Sequence, residues 1–293
     1  MQYGAPLDES GRTTDIYDAL RQTIGSHVGV DSLPAVPENT SPIEIPSITL
    51  TPQVALFASL PQPINAKIPV NMEALGQSHG FILYRHTVKS VMNGILKTGD
   101  FPRDRVIVYV NQKQVGVIDS SYQTPQIVTL ALKSNDVLDL LIENMGRINY
   151  GPRIPDQRKG IIGNVTIGGT ALFDWEMFPL SMEAPPSAEV SSKLENITGS
   201  GPVFYTGTFD VENIGDTFLE LPGWTKGVVW VNGETLGRYW IVGPQQTLYL
   251  PGCYLKTEGN EITVLALEPS DNQSTLRGVN TRGWGNNPDP DAP

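Results

Sequence analysis

Five glutamates offer carboxylates for proton transfer: Glu143, Glu176, Glu220, Glu261 and Glu268. Two carboxyl groups flanking a glycosidic bond are the equipment of sugar hydrolysis, one serving as acid and base and the other as nucleophile or water activator. No spacing nominates a pair among the five. Each lies in or beside a stretch that reads as strand, where one face commonly meets water and carries charge, so all five are read as strand surface. His86, between Arg85 and Thr87, reads as a packing or hydrogen-bonding side chain rather than a base. A phosphate loop and HExxH are both missing. Cys253 is the only cysteine, and His27, His79 and His86 are scattered. That pattern gives no intrachain disulfide and no Cys/His zinc site, and no metal or cofactor is expected.

Trp224, Trp230, Tyr239 and Trp240 cluster in a short run. Aromatic faces stack on the C–H face of a sugar ring, or they fill a sandwich core or an inter-domain seam. Trp230 sits between Val229 and Val231 as a core residue would, so the packing reading leads. Asn39, Asn164, Asn196 and Asn272 each begin an Asn-x-Ser/Thr sequon, consistent with a secretory route.

These residues need a scaffold, and composition restricts it. Asp and Glu outnumber Lys and Arg by 31 to 20, which disfavours nucleic acid and anionic membrane surfaces. No apolar run reaches the length of a membrane span. With 29 Gly and 24 Pro, turns are frequent. Residues 14–24 read as one helix with Ile16, Leu20 and Ile24 on a stripe, Thr14 as cap and Gly25 as stop. Residues 29–48 hold four prolines and read as an extended linker.

From about residue 49 strand follows strand: 80–88, 104–111, 114–119, 127–132 and 137–144, then a second group at 203–211, 216–223, 227–240, 247–252 and 260–268. Short polar turns between them signal a sandwich or barrel rather than βαβ units. Asn232-Gly233 marks a tight hairpin. VYVNQKQVGV (108–117) and VWVNGETLGR (229–238) are weakly alike. Two copies of one sandwich type and chance convergence of hairpins explain that equally well. Residues 278–293 look like a loose tail, and no signal peptide is visible at 1–12.

LPGWTKGVVWVNGETLGRYWIVGPQQTLYLPG (221–252) closely resembles the last jelly-roll domain of glycoside hydrolase family 35 β-galactosidases. GFILYRHTV (80–88), IENMGRINYG (142–151) and KGIIGNVTIGG (159–169) resemble the preceding β-domain. Residues 1–24 resemble the end of that family's catalytic (β/α)8 barrel. The resemblance implies an all-β chain of two jelly-roll, galactose-binding-like sandwiches behind a barrel remnant. It divides the chain into 1–26 (barrel end), 27–48 (linker), 49–171 (first sandwich), 172–270 (second sandwich) and 271–293 (tail).

The same resemblance implies a missing N-terminal portion holding both catalytic glutamates, so catalytic residues are none in this chain and the chain alone is expected to be inactive. It implies that the parent hydrolyses terminal non-reducing β-D-galactose with retention and that the sandwiches pack against its barrel. Tyr3, in Tyr-Gly-Ala-Pro-Leu, and Tyr150, in Asn-Tyr-Gly, align with substrate-binding tyrosines, although Met1-Gln2 departs from the family's pattern. A turn residue packed on Pro152 is the competing reading of Tyr150. Asn164 matches a glycosylated position, and a secreted, lysosomal or periplasmic parent follows. Two other readings stand: a freestanding galactoside-binding, lectin-like module, and a structural domain pair supporting a separate barrel.

Overall fold

The computed structural model describes residues 4–120, 126–186, 201–270 and 274–287. Helix α1 (Asp15–Val28) carries the expected stripe, but it runs past Gly25 and ends at Gly29. Thr14 does not cap it through its side chain. Its hydroxyl donates instead to the carbonyls of Ala5 and Pro6, fastening the entering chain. Ile16, Leu20, Ile24 and Val28 all remain exposed.

The strands follow in chain order. β1 (Ile45–Thr49), β2 (Thr51–Ala55), β3 (Ile64–Ala66), β4 (Phe81–Thr87), β5 (Met92–Thr98), β6 (Arg105–Val110) and β7 (Lys113–Asp119) come first. β8 (Thr129–Leu132), β9 (Val137–Glu143), β10 (Val165–Ile167), β11 (Thr170–Ala171) and β12 (Trp175–Leu180) complete the first half. Then come β13 (Val203–Phe209), β14 (Thr217–Glu220), β15 (Lys226–Val231), β16 (Glu234–Trp240), β17 (Gly243–Gln245), β18 (Thr247–Leu250), β19 (Asn260–Ala266), β20 (Thr275–Val279) and β21 (Trp284–Asn287).

The first sandwich sets the sheet β3-β12-β4-β9-β6-β7 against β11-β10-β5-β8, with Tyr84, Val108, Leu140 and Trp175 in its core. The second sets β16-β15-β19-β13-β2 against β1-β20-β14-β18, around Trp224, Val229, Tyr239 and Val264. Every pairing between these strands is antiparallel. A third apolar cluster joins the two, with Leu83, Ile107, Tyr109 and Leu141 meeting Phe204, Val228, Trp230 and Leu265. Central strands are therefore covered on both faces. All of β15 is buried, and β9 is buried from Leu138 to Glu143, which is why these strands show no inside–outside alternation.

Three expected boundaries change. The linker's last residues form β1, which pairs with β20. Pro46 hides that strand in the sequence, yet β1 is an edge, where a residue without an N–H is tolerated. The expected tail contributes β20, the neighbour of both β1 and β14. β12 belongs to the first sandwich through its pairing with β4, not to the second. Since β1 and β2 lie in the second sandwich, the first is inserted within it.

The hairpin likeness extends to the register. Arg105 lies opposite Asp119 and Val108 opposite Gly116, with a bulge before Tyr109. Lys226 lies opposite Trp240 and Val229 opposite Gly237, with a bulge before Trp230. Both turns take positive φ, at Asn111 and Gln112 and at Asn232 and Gly233, as two-residue hairpins require. The next strand pairs also match, β4 with β13 and β9 with β19. Position by position, Leu83, Ile107, Tyr109 and Leu141 correspond to Phe204, Val228, Trp230 and Leu265, so equivalent faces meet at the seam.

Candidate functional site

Tyr150 sits on the loop between β9 and β10 with 88% of its surface exposed. Its ring is open to solvent rather than packed on Pro152. The loop beneath it is held by charged and polar side chains at its start and its return. Met145 N–H donates to Asp104 Oδ2 (2.8 Å), Gly146 N–H to Asn144 Oδ1 (2.9 Å) and Ile148 N–H to Gln157 Oε1 (3.1 Å). Arg147 donates to the Ser78 carbonyl and to Glu73 Oε1, both at 2.7 Å. On the return, buried Lys159 places Nζ 2.8 and 2.7 Å from the two Asp104 oxygens, while its N–H donates to Glu73 Oε2 at 2.8 Å.

Arg103 completes the clamp. Its guanidinium donates to Asp100 and Asp156 and lies 4.3 Å from the centroid of the Phe101 ring, which Arg153 also approaches at 4.9 Å. Hydrogen bonds from Arg158 and then Arg103 hold the Asp156 carboxyl well below the usual range. Charge-assisted bonds of this kind are the stronger class, and several share partners. The result is an exposed aromatic on a loop braced at its start and its return, an arrangement that presents a ring to another surface.

The second feature is a cleft of about 220 Å³ between the sandwiches, lined by Glu143, Met145, Arg238, Trp240 and Gln245 among others. Glu143 is 3% exposed and Lys226 4% exposed. Arg238 Nη1 lies 3.0 Å from Glu143 Oε1, and Lys226 Nζ lies 3.2 Å from Oε2. Lys226 also rests 3.6 Å from the Trp240 ring centroid. Burial pulls the Lys226 ammonium below its ordinary pKa, and Glu143 opposes that. Glu143, read from sequence as solvent-facing, is thus a buried anion bridging two sandwiches.

The other candidates separate. Trp224 and Tyr239 lie in the second core and Trp230 in the seam, whereas Trp240 is half-buried at the cleft. His86 is buried against Trp175, ring centroids 5.3 Å apart, and burial lowers its pKa. Glu220 pairs with Arg277 at 2.6 Å. Asn164 is exposed immediately before β10. Asn39 is exposed too, with its amide bonded to Thr13. Tyr3, Asn196 and Asn272 lie outside the described residues. Among the described residues no His/Cys/Asp/Glu group has metal-holding geometry, and no helix is long and apolar enough to cross a membrane.

The Asp104–Lys159–Glu73 clamp and the Arg103 stack were not read from the sequence. Their one signal is density: Arg147, Arg153, Asp156, Arg158 and Lys159 crowd one loop of a chain whose charged fraction is only 17%.

Residues 69–181 match the family model described as β-galactosidase, first all-beta domain. Residues 202–260 match β-galactosidase, galactose-binding domain. The chain fits the C-terminal portion of a β-galactosidase. A β-galactosidase of Xanthomonas manihotis is 38% identical over 85% of this chain and 41% of its own length. The human β-galactosidase-1-like protein 2 is 38% identical over 89% and 42%, and the human β-galactosidase 36% over 91% and 43%. The chain therefore spans less than half the length of these relatives. Among solved structures, a Pleurotus ostreatus lectin in complex with GalNAc covers 80% of this chain and 85% of its own, at 11% identity and TM-score 0.23. A likeness that low carries no argument. In these β-galactosidase domains, the Tyr150 loop belongs to the first all-beta match and Arg238 to the galactose-binding match.

Proposed function

We propose that the chain is the non-catalytic part of an enzyme that removes terminal non-reducing β-D-galactose with retained configuration. The carrying observation is that both sandwiches match β-galactosidase domains while the exposed Tyr150 sits on a loop braced at both ends. In this reading Tyr150 and Tyr3 touch the sugar, and residues 1–26 belong to the end of a (β/α)8 barrel. The exposed Ile16, Leu20 and Ile24 stripe supports that packing, because a short helix gains its stability from an apolar face covered by neighbours. The acid and the nucleophile come from that barrel. Retaining hydrolysis needs two carboxyls about 5–5.5 Å apart, and no glutamate of this chain matches either motif. Glu143, the most buried candidate, is already neutralised by two cations. A secretory route suits the exposed Asn164 sequon.

The purified chain with a chromogenic β-galactoside tests the reading. No turnover above a host-extract control is expected, and galactose release would overturn it. Co-expression with the barrel part of a relative should recover hydrolysis, and Tyr150→Phe should then raise KM more than it lowers kcat. Millimolar or tighter binding of galactose or lactose by the chain alone, read by calorimetry, would favour a freestanding binding module instead.

A further inference from the structure

We propose that Arg238, a residue of the second sandwich, is the positioning residue for the Tyr150 loop of the first. Its Nη1 donates to Glu143 Oε1 at 3.0 Å and to the Asn144 carbonyl at 2.9 Å. Those two acceptors are the last residue of β9 and the first residue of the loop. Asn144 is buried. Its side chain holds the next turn, taking Gly146 N–H on Oδ1 and donating Nδ2 to the Ser78 carbonyl. Met145, one residue further, lines the cleft with Arg238. A single guanidinium thus grips the point where strand becomes loop.

The repeat shows that this grip is not a general requirement of the fold. By register, Arg238 corresponds to Val117, which lies opposite Ile107 as Arg238 lies opposite Val228. Val117 is a buried seam residue. Glu143 lies opposite Arg105, and the residue at the matching place beyond Ala266 is Leu267, whose N–H bonds the Lys226 carbonyl. Leu267 is also a buried seam residue. Two places that hold apolar side chains in one copy hold opposite charges in the other, and the charges meet. Glu143 is buried and Arg238 reaches it from the exposed rim of the second sandwich, so the guanidinium joins the second sandwich to the loop's root.

The consequence for sugar binding rests on the Tyr150 reading; the grip itself does not. Hydrogen–deuterium exchange of the full chain reads it directly. Arg238→Met should raise exchange at Met145, Gly146 and Ile148 roughly tenfold, since charge-assisted bonds confer local protection of that order. Arg238→Lys, which keeps a charged donor, should recover most of the protection. Arg277→Met, which breaks a rim pair of the same sandwich, should leave the loop unchanged. Unchanged loop exchange in Arg238→Met overturns the proposal, as does a rise spread evenly over β15, β16 and β19. Should Arg238→Met fail to fold, Arg238→Gln gives the same comparison at smaller amplitude. An unaltered KM for Tyr150→Phe in the reconstituted enzyme would instead overturn only the sugar-contact reading, to which the exchange measurement is blind.

Discussion

In the first sandwich Arg105 lies opposite Asp119 and forms an ion pair with it at 3.0 Å, both side chains fully buried. At the matching place in the second, Lys226 lies opposite Trp240 and rests on its ring. The first cation takes its counter-ion from its own hairpin, and its guanidinium also lies 5.4 Å from the Trp240 ring centroid. The second is answered by an aromatic face and by Glu143 from the neighbouring sandwich. One backbone register thus supports a counter-ion inside the hairpin in one copy and a counter-ion from the neighbouring sandwich in the other, with Trp240 shared by both cations. The sheet geometry fixes where the side chains stand, and the residue types decide where each cation finds its counter-ion.

The strongest test of this comparison is at the seam. Trp230→Ala and Tyr109→Ala remove equivalent anchors, and each should cost about 3–5 kcal/mol in urea unfolding. If the seam is one shared core, the double variant costs less than the two separately and unfolding stays in a single transition. Two transitions would separate the sandwiches energetically. Glu143→Leu installs the residue type of the equivalent place and strands the buried Lys226, so a loss of about 3 kcal/mol is expected. Adding Arg238→Val and Trp240→Asp recreates the first sandwich's arrangement and should recover most of that loss, measured as the unfolding midpoint.

A smaller effect distinguishes Val106 from its equivalent Gly227. A Cβ at Gly227 would fall 1.7 Å from the Leu265 carbonyl oxygen and 2.8 Å from the Tyr239 ring, whose hydroxyl donates to that carbonyl. Gly227→Ala should therefore destabilise by about 1–3 kcal/mol or more by overpacking, seen as a lowered Tm. The smallest effect is local. Arg158→Gln should let the Asp156 carboxyl rise toward the ordinary value of about 3.9, read by carbon NMR titration. Because the folded value is depressed, this group's contribution is present above that ordinary value and fades as pH falls through the folded one.

Much of the scaffold was legible. Val106, Val108 and Val110 marked β6, Asn232-Gly233 marked the hairpin of β15 and β16, and the 221–252 run carried the resemblance. What escaped depends on distant partners. Pro46 argued against a strand until β20 stood beside it. Glu143 looked solvent-facing because strand charges usually are, and only the second sandwich covers it. The Tyr150 clamp joins Glu73 to Lys159 and Asp104 to Met145; such pairs have no periodicity to read. Hairpins and helix stripes are written locally, whereas polar networks exist only once the chain has closed.

The insertion of one sandwich into the other has a consequence for how the molecule is made. A ribosome delivers β1 and β2 before the first sandwich, but their partners β20 and β13 emerge only after the whole first sandwich has been synthesised. Domains generally fold as units during synthesis, and long-range pairings are slow because the loop must close first. The first sandwich can thus mature co-translationally while two bare strands wait, and the second closes around it last. Slowed translation between β12 and β13 would then lengthen exposure of those waiting edges, the stage at which a holdase has most to protect.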